Sequence, residues 1–316
     1  MKRIAALQHI LLVFVDGLGI GPHDPDTNPC CRPGLRLLHQ CCAALFPNRV
    51  EPDGVALGLD ATLGVEGLPQ SATGQTALLT GVNSAQLLGR HLNAFPNKAL
   101  REVIAGHNIL KRCTDLGYRA AFLNTFRPPF FDLDPFAIIS HLSVTSVSNL
   151  YAGLRFFDLD DLRAGRSVYQ DITGASLRDH GFDVPLLSPR EAGAVIGRAS
   201  RLYDFSLFEY FQTDVAGHSR DFGRALPILL RLEDFLASLL ETVDRANTLV
   251  LVTSDHGNIE DLSVKGHTRN PAMTLLFGCG REEIAAQLHT LTDVTPTLLQ
   301  AMACGVNGQG AVTSSG

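Results

Sequence analysis

The sequence predicts an α/β protein: a mostly parallel central sheet with helices on both faces and a small inserted cap. Three observations support this. Residues 9–15, 203–213 and 249–253 are short runs rich in branched and aromatic side chains, as expected of strands buried on both faces. Each run leads into a carboxylate: Asp16, Asp214 and Asp255 respectively. Long helix-patterned stretches, notably 99–116 and 226–243, lie between such runs, which is the alternation of a parallel sheet.

Taken in order, Met1-Lys2-Arg3 and the apolar residues after it superficially resemble a secretion signal. Gln8 and His9 interrupt the run, and no small-residue cleavage site precedes Asp16, so a first strand is the better reading. Residues 21–29 are loop by composition, and 34–46 pattern as a short helix. Repeated glycines over 49–68 suggest turns and small strands. Small polar residues at 70–76 then open a helix that stops at a Gly81 C-cap. One helix over 99–116 and a core strand over 118–124 follow. From Arg127 to about Ser200 the alternation breaks down amid prolines and Asp-rich turns, which marks the insertion. The expected organisation is a discontinuous core, 1–126 and 201–316, around a cap at 127–200. Past the strand at 249–253 come a loop at 266–271, a strand at 273–278 and a last helix from 293 with Pro296 in its first turn. The glycine- and serine-rich end is expected to fray.

Parallel strands would bring Asp16, Asp214 and Asp255 to one sheet edge, where open α/β sheets bind ligands. Three carboxylates so placed repel unless cations neutralise them. His256 follows Asp255 directly, His218 lies four residues after Asp214, and His267 sits in the next loop. Carboxylate and imidazole together suit Zn²⁺ or Mn²⁺. The alternative, three unrelated turn or cap residues, needs three coincidences. Ser71 or Thr73 stands near a helix N-terminus, which favours an anion or an alkoxide, although a plain N-cap is the commoner use of such a residue. Arg269, between two site candidates, and Arg90 and Lys98, in a polar loop, are candidate phosphate contacts. For Arg90 and Lys98 a solvated surface loop is the slightly preferred reading. His107, His141, His180 and His289 have no partner pattern and read as structural.

The order Asp16, Ser71, Asp214-x-x-x-His218, Asp255-His256-Gly257-Asn258, His267-Thr268-x-Asn270-Pro271 resembles the alkaline phosphatase superfamily. The branch it is most similar to contains cofactor-independent phosphoglycerate mutase and phosphopentomutase. The likeness covers about residues 9–125 and 201–300. It implies an alkaline phosphatase-like fold and two divalent metal ions, Mn²⁺ or Zn²⁺. Asp214, His218 and His267 would bind one, and Asp16, Asp255 and His256 the other, with Ser71 as a nucleophile reaching the metals. The spacing from Ser71 to Thr80-Gly81 also resembles that of nucleotide pyrophosphatases and sulfatases. Thr73 and Gln75, however, stand where a sulfatase has Pro and Arg, which speaks against sulfate esters. The insertion is also much smaller than that of the mutases.

Composition narrows the rest. At 316 residues with 45% hydrophobic and 18% charged content, the chain can bury a large globular core. A net charge of −6 without Lys/Arg runs argues against nucleic acid or a membrane surface as partner. No apolar stretch reaches the ~18 residues that span a bilayer. Seven cysteines in no zinc or redox spacing are read most simply as reduced thiols in a cytoplasmic protein, with a chance pairing on oxidation left open. Gly-rich nucleotide loops, His-Glu-x-x-His and Gly-x-Ser-x-Gly are all missing, which removes the usual rival enzymes. The expected function is a phosphoester hydrolase acting on a small phosphorylated substrate through a phosphoserine. The alternatives are a phosphomutase, or an inactive metal-binding protein that has kept the fold.

Overall fold

The computed structural model describes residues 6–42, 48–50 and 53–305. Its centre is one seven-stranded sheet: β1 (His9–Val15), β2 (Asn48–Val50), β3 (Gly54–Leu59), β4 (Ala120–Phe122), β5 (Phe205–Tyr210), β6 (Thr248–Thr253) and β7 (Ala272–Gly278). The spatial order is β2-β3-β7-β6-β1-β5-β4. β1 runs parallel to both β5 and β6, and β4 runs parallel to β5. β7 reverses against β6, and β3 and β2 continue as an antiparallel edge. The parallel block therefore holds all three strands that lead into the aspartates, and their C-terminal ends share one edge.

The period of two along β1 sorts its side chains between two cores. Leu11, Val13 and Val15 face a layer containing the helices Pro189–Ala199 and Phe222–Thr242. Ile10, Leu12 and Phe14 face the opposite layer, built on Ser71–Thr80, Lys98–His107, Val144–Tyr151 and Val294–Gly305. Every one of these six strand residues is essentially inaccessible to solvent, which is why the runs read as continuous apolar stretches rather than alternating ones.

Several local expectations change. The third run stops at Tyr210, and Asp214 lies in the first turn of the helix Gln212–Ser219. Asp214 and His218 are therefore an i, i+4 pair on one helix face. The helix expected over 99–116 is two helices, Lys98–His107 and Ile109–Asp115, divided at Asn108. The Asn108 side chain caps the second by accepting from Lys111 N–H. The helix expected over 34–46 is a 3₁₀ turn, Leu38–Cys42, within the described part, and 43–46 lie outside it, as does the glycine- and serine-rich end. Cys31 and Cys42 form a disulfide, their Cα atoms 5.8 Å apart, where free thiols were expected, because the loop after β1 folds back on itself.

Residues 127–200 contain five α-helices and the 3₁₀ turn Ile139–His141. Pro189–Ala199 packs along Phe222–Thr242, and Val144–Tyr151 packs on the other sheet face, so both ends of the segment join the main cores. Between them, Leu159, Leu162, Tyr169, Leu177 and Val184 form a cluster of their own. Bridges from Asn124 to Val168 and from Thr125 to Phe157 bind the segment to the C-terminal end of β4. Among the described residues, no helix is long and apolar enough to cross a membrane.

Candidate metal centre

Two groups of donors meet at the C-terminal edge of β1, β5 and β6. Asp214, His218 and His267 form one, and Asp16, Asp255 and His256 the other; within each, the donor atoms lie within 4.8 Å of one another. His256 and His267 stack with ring centroids 3.8 Å apart, so the groups adjoin. Asp16 follows β1, Asp255 and His256 follow β6, and Asp214 and His218 come from the helix after β5. Close packing of these turns requires small residues. Gly17 has φ +68, and a Cβ there would fall 2.7 Å from Asp214 Oδ1. A Cβ on Gly74 would fall 2.7 Å from the Asp255 carbonyl, which lets the Ser71–Thr80 helix approach the end of β6.

The donors fit cations. Asp16 Oδ1 and Asp255 Oδ2 are buried and have no hydrogen-bond partner. Each lies near His256 Nε2, at 3.3 and 3.5 Å respectively. In the other group, His267 Nε2 is 3.3 Å from His218 Nε2 and 3.4 Å from Asp214 Oδ1. His267 Nδ1 lies 2.8 Å from the Pro69 carbonyl, a pure acceptor, so the proton belongs on Nδ1 and the Nε2 lone pair faces the group. Two imidazole nitrogens that close, beside a carboxylate, are an arrangement that could hold a metal ion. A divalent cation would supply the partner that the two orphaned carboxylate oxygens lack.

The electrostatics point the same way. Burial, together with the charge of Asp16, pushes the Asp255 carboxyl far above the ordinary carboxylate range. Burial opposes the charge on His256 too, yet Asp255, Asp16 and Asp214 outweigh it and raise the imidazole to about 10. Burial likewise works against Asp214 ionising, but the adjacent imidazoles of His267 and His256 and the hydrogen bond donated by Asn258 bring its carboxyl down to about 2. Carboxylates are thus gathered where the burial of Asp16 and Asp255 leaves little water to stabilise their charge, and a positive charge would relieve it.

Ser71 is the first residue of the Ser71–Thr80 helix, and Gln70 occupies the cap position. Ser71 Oγ caps nothing and instead sits 3.0 Å from His256 Nε2. Thr73 plays another part: its hydroxyl donates to Gln70 O and accepts from Leu92 N–H. Arg269 is exposed next to His267 and Thr268 in sequence, and its charge reaches His91. Arg90 is exposed, and Lys98 is a surface residue 4.0 Å from Glu102. Among the described residues, no hydrogen bond or ion pair joins Arg90, Lys98 or Arg269 to either donor group.

Residues overlooked in the sequence hold the site in shape. Buried Glu260 accepts from Gly19 N–H, Asn258 N–H, the Thr268 hydroxyl and the Asn270 amide, tying together the loops after β1 and β6 and the 267–270 loop. Gln75 donates to Asp16 Oδ2, and Asn258 donates to Asp214 Oδ1. Asn124 exchanges two 2.8 Å bonds with the Glu209 backbone and so prolongs the β4–β5 pairing. The Glu209 carboxyl, 7% exposed, accepts from Thr145 Oγ1; burial lifts it to about 7, and the charge of Asp16 adds to the rise. An acid at 260, inside a loop already dense with polar residues, was the one available signal.

Comparison with known proteins agrees with this geometry. Residues 189–305 match the model of the Metalloenzyme superfamily. This match supports the assignment to the alkaline phosphatase superfamily that the order of the site residues suggests. Among its relatives are 2,3-bisphosphoglycerate-independent phosphoglycerate mutases. That of Cereibacter sphaeroides is 34% identical over 109 residues, 32% of this chain and 21% of the mutase. That of Antithamnion sp. is 25% identical over 126 residues, 36% of this chain and 24% of the mutase. The matched segments thus span a quarter or less of those relatives. PH0037 protein from Pyrococcus horikoshii shares the fold end to end, with a TM-score of 0.57, 15% identity and 99% coverage of both chains.

Proposed function

We propose that this protein is a metal-dependent phosphoryl-transfer enzyme that hydrolyses a phosphoester through a phosphoserine on Ser71. The observation that carries the reading is Ser71 Oγ, free of any capping role and 3.0 Å from His256, where the two donor groups meet. Asp16, Asp255 and His256 would hold one divalent cation and Asp214, His218 and His267 a second, Mn²⁺ or Zn²⁺. Bound there, the cations would lower the pKa of the serine hydroxyl and offset the charge of the phosphoryl oxygens. Ser71 Oγ attacks phosphorus, the ester P–O bond breaks, and the departing alcohol takes up a proton. Water then attacks the phosphoserine, releasing inorganic phosphate and restoring the hydroxyl. The N-terminus of the Ser71–Thr80 helix adds partial positive charge beside the reacting oxygen.

Core residues 1–126 and 201–316 supply the donors in this reading, and 127–200, tied to the end of β4, covers the substrate side. Arg269 is the best placed of the three basic candidates by sequence, and Arg90 and Lys98 have weaker claims. A mutase reading is favoured by the relatives alone. An inactive metal-binding protein would have little reason to retain a buried serine against His256.

The test is the fate of phosphate with Mn²⁺ or Zn²⁺ present. Inorganic phosphate released in proportion to substrate consumed supports hydrolysis, and isomerised product without free phosphate establishes a mutase. Ser71→Ala should abolish turnover while leaving cation binding and the melting temperature nearly unchanged, with Thr73→Ala milder. Full activity in Ser71→Ala would refute the nucleophile.

A further inference from the structure

A cavity of about 380 Å³ opens at the same sheet edge, against the ends of β4 and β5. That size is ordinary for a small-molecule site, roughly 300–1,000 Å³. It shares β5 with the metal centre. Phe211, in its wall, immediately precedes the helix that carries Asp214 and His218. Glu209, also in its wall, pairs with Phe14, two residues before Asp16.

The lining is aromatic. Phe126, Phe130, Tyr169 and Phe211 supply rings, and Leu133, half exposed, lies at the rim. Phe126 and Phe130 are 4.6 Å apart, and both pack against Phe156 at 4.7 Å, so these walls support one another. Most of the neutral polar side chains in the lining are already paired within the protein: Asn124 with the Glu209 backbone, Thr125 with Ser167, and Ser143 with Thr145 and Ser146. Arg127, exposed, is the one cation among the described residues of the lining, and the buried carboxyl of Glu209 faces the opposite requirement. A glycerate carboxylate would meet that acid without a matching set of cations. A sugar would bring more hydroxyls than the walls can partner, and each unpaired one is unfavourable. A flat, uncharged ring suits such walls, since aromatic pairs add to simple area burial.

We propose that this cavity receives the leaving group of the substrate and that the group is an uncharged aromatic ring, making the substrate an aryl or heteroaryl phosphoester. The proposal rests on the phosphoryl-transfer reading above. Hydrolysis would place the phosphoryl group at Ser71 and release the ring-bearing alcohol from between the Phe and Tyr side chains.

Binding of benzylphosphonate and ethylphosphonate to the Mn²⁺-loaded protein, measured by calorimetry, separates the ring from the phosphoryl group. The expectation is about tenfold tighter binding of benzylphosphonate, falling to about threefold or less in Phe130→Ala. Leu133→Gln, at an exposed rim position where folding is not at risk, should lower the preference in the same direction. Equal affinities in the wild type, or a preference unaltered in both variants, would overturn the proposal. So would tighter binding of the phosphonate analogue of 3-phosphoglycerate. Inorganic phosphate serves as the separate probe of the metal centre. If neither it nor either phosphonate binds, the phosphoryl-transfer reading fails, and benzyl alcohol, followed by ligand-observed NMR, still decides the cavity. Saturable binding weakened in both variants supports an aromatic occupant, and its absence refutes one.

Discussion

Replacing Glu209 by Gln should make the stability of this protein depend less on pH, in a direction and by an amount that the structure specifies. The side chain is buried on β5, accepts a 2.7 Å bond from Thr145 Oγ1, and ionises near 7 rather than at its ordinary 4.5. Gln has the same shape, and its carbonyl oxygen can still accept from Thr145, so the change removes the titration and little else. In the unfolded chain the carboxyl loses its proton near 4.5, whereas in the folded chain it holds the proton until about 7. The folded state therefore binds more protons across that window, and wild-type stability falls as pH rises through it. That rise in pKa, at ~1.4 kcal/mol per tenfold change in proton affinity, gives roughly 3–4 kcal/mol lost by pH 8 and essentially none at pH 4. The variant escapes this loss. Urea denaturation of both proteins in chelator, from pH 4 to pH 8.5, reads the difference without interference from cations. The advantage of Glu209→Gln should grow between about pH 4.5 and 7 and then level off. A constant difference, or one that shrinks as pH rises, would show that Glu209 is charged and compensated in the folded protein.

Two further outcomes follow from the donor groups and their supports. Asp255→Asn removes an acid that burial and Asp16 keep from ionising, so the chelated protein should be at least as stable as wild type; cation affinity, measured by calorimetry with Mn²⁺, should fall tenfold or more. A stability loss with unchanged affinity would count against Asp255 as a ligand. Glu260→Ala leaves Gly19 N–H, Asn258 N–H, the Thr268 hydroxyl and the Asn270 amide without their acceptor, which should cost about 3 kcal/mol or more and lower the melting temperature by several degrees. A melting curve like that of wild type would mean the three loops are held by something else.

The strands and their terminal acids were legible because a doubly covered parallel strand must be apolar throughout and must end where the chain turns. Those two constraints mark residues 9–16 and 249–256 in any reading of the chain. The i, i+4 spacing of Asp214 and His218 was equally plain, but Phe211, following Phe208 and Tyr210 of the strand, extended its apparent length and concealed the helix start at Gln212. Periodicity also joined the two helices on either side of Asn108, since a capping side chain does not interrupt a hydrophobic pattern. What only the tertiary structure decided are contacts between distant segments. The Ser71 hydroxyl could have been an N-cap until the fold brought His256 beside it. Glu260 and Glu209 look like ordinary acids in sequence, and become a loop clamp and a high-pKa carboxyl only when burial removes water from around them. The two cores that receive the ends of 127–200, and the cavity at its edge, depend on side chains far apart in the chain. No local pattern encodes which of them will meet.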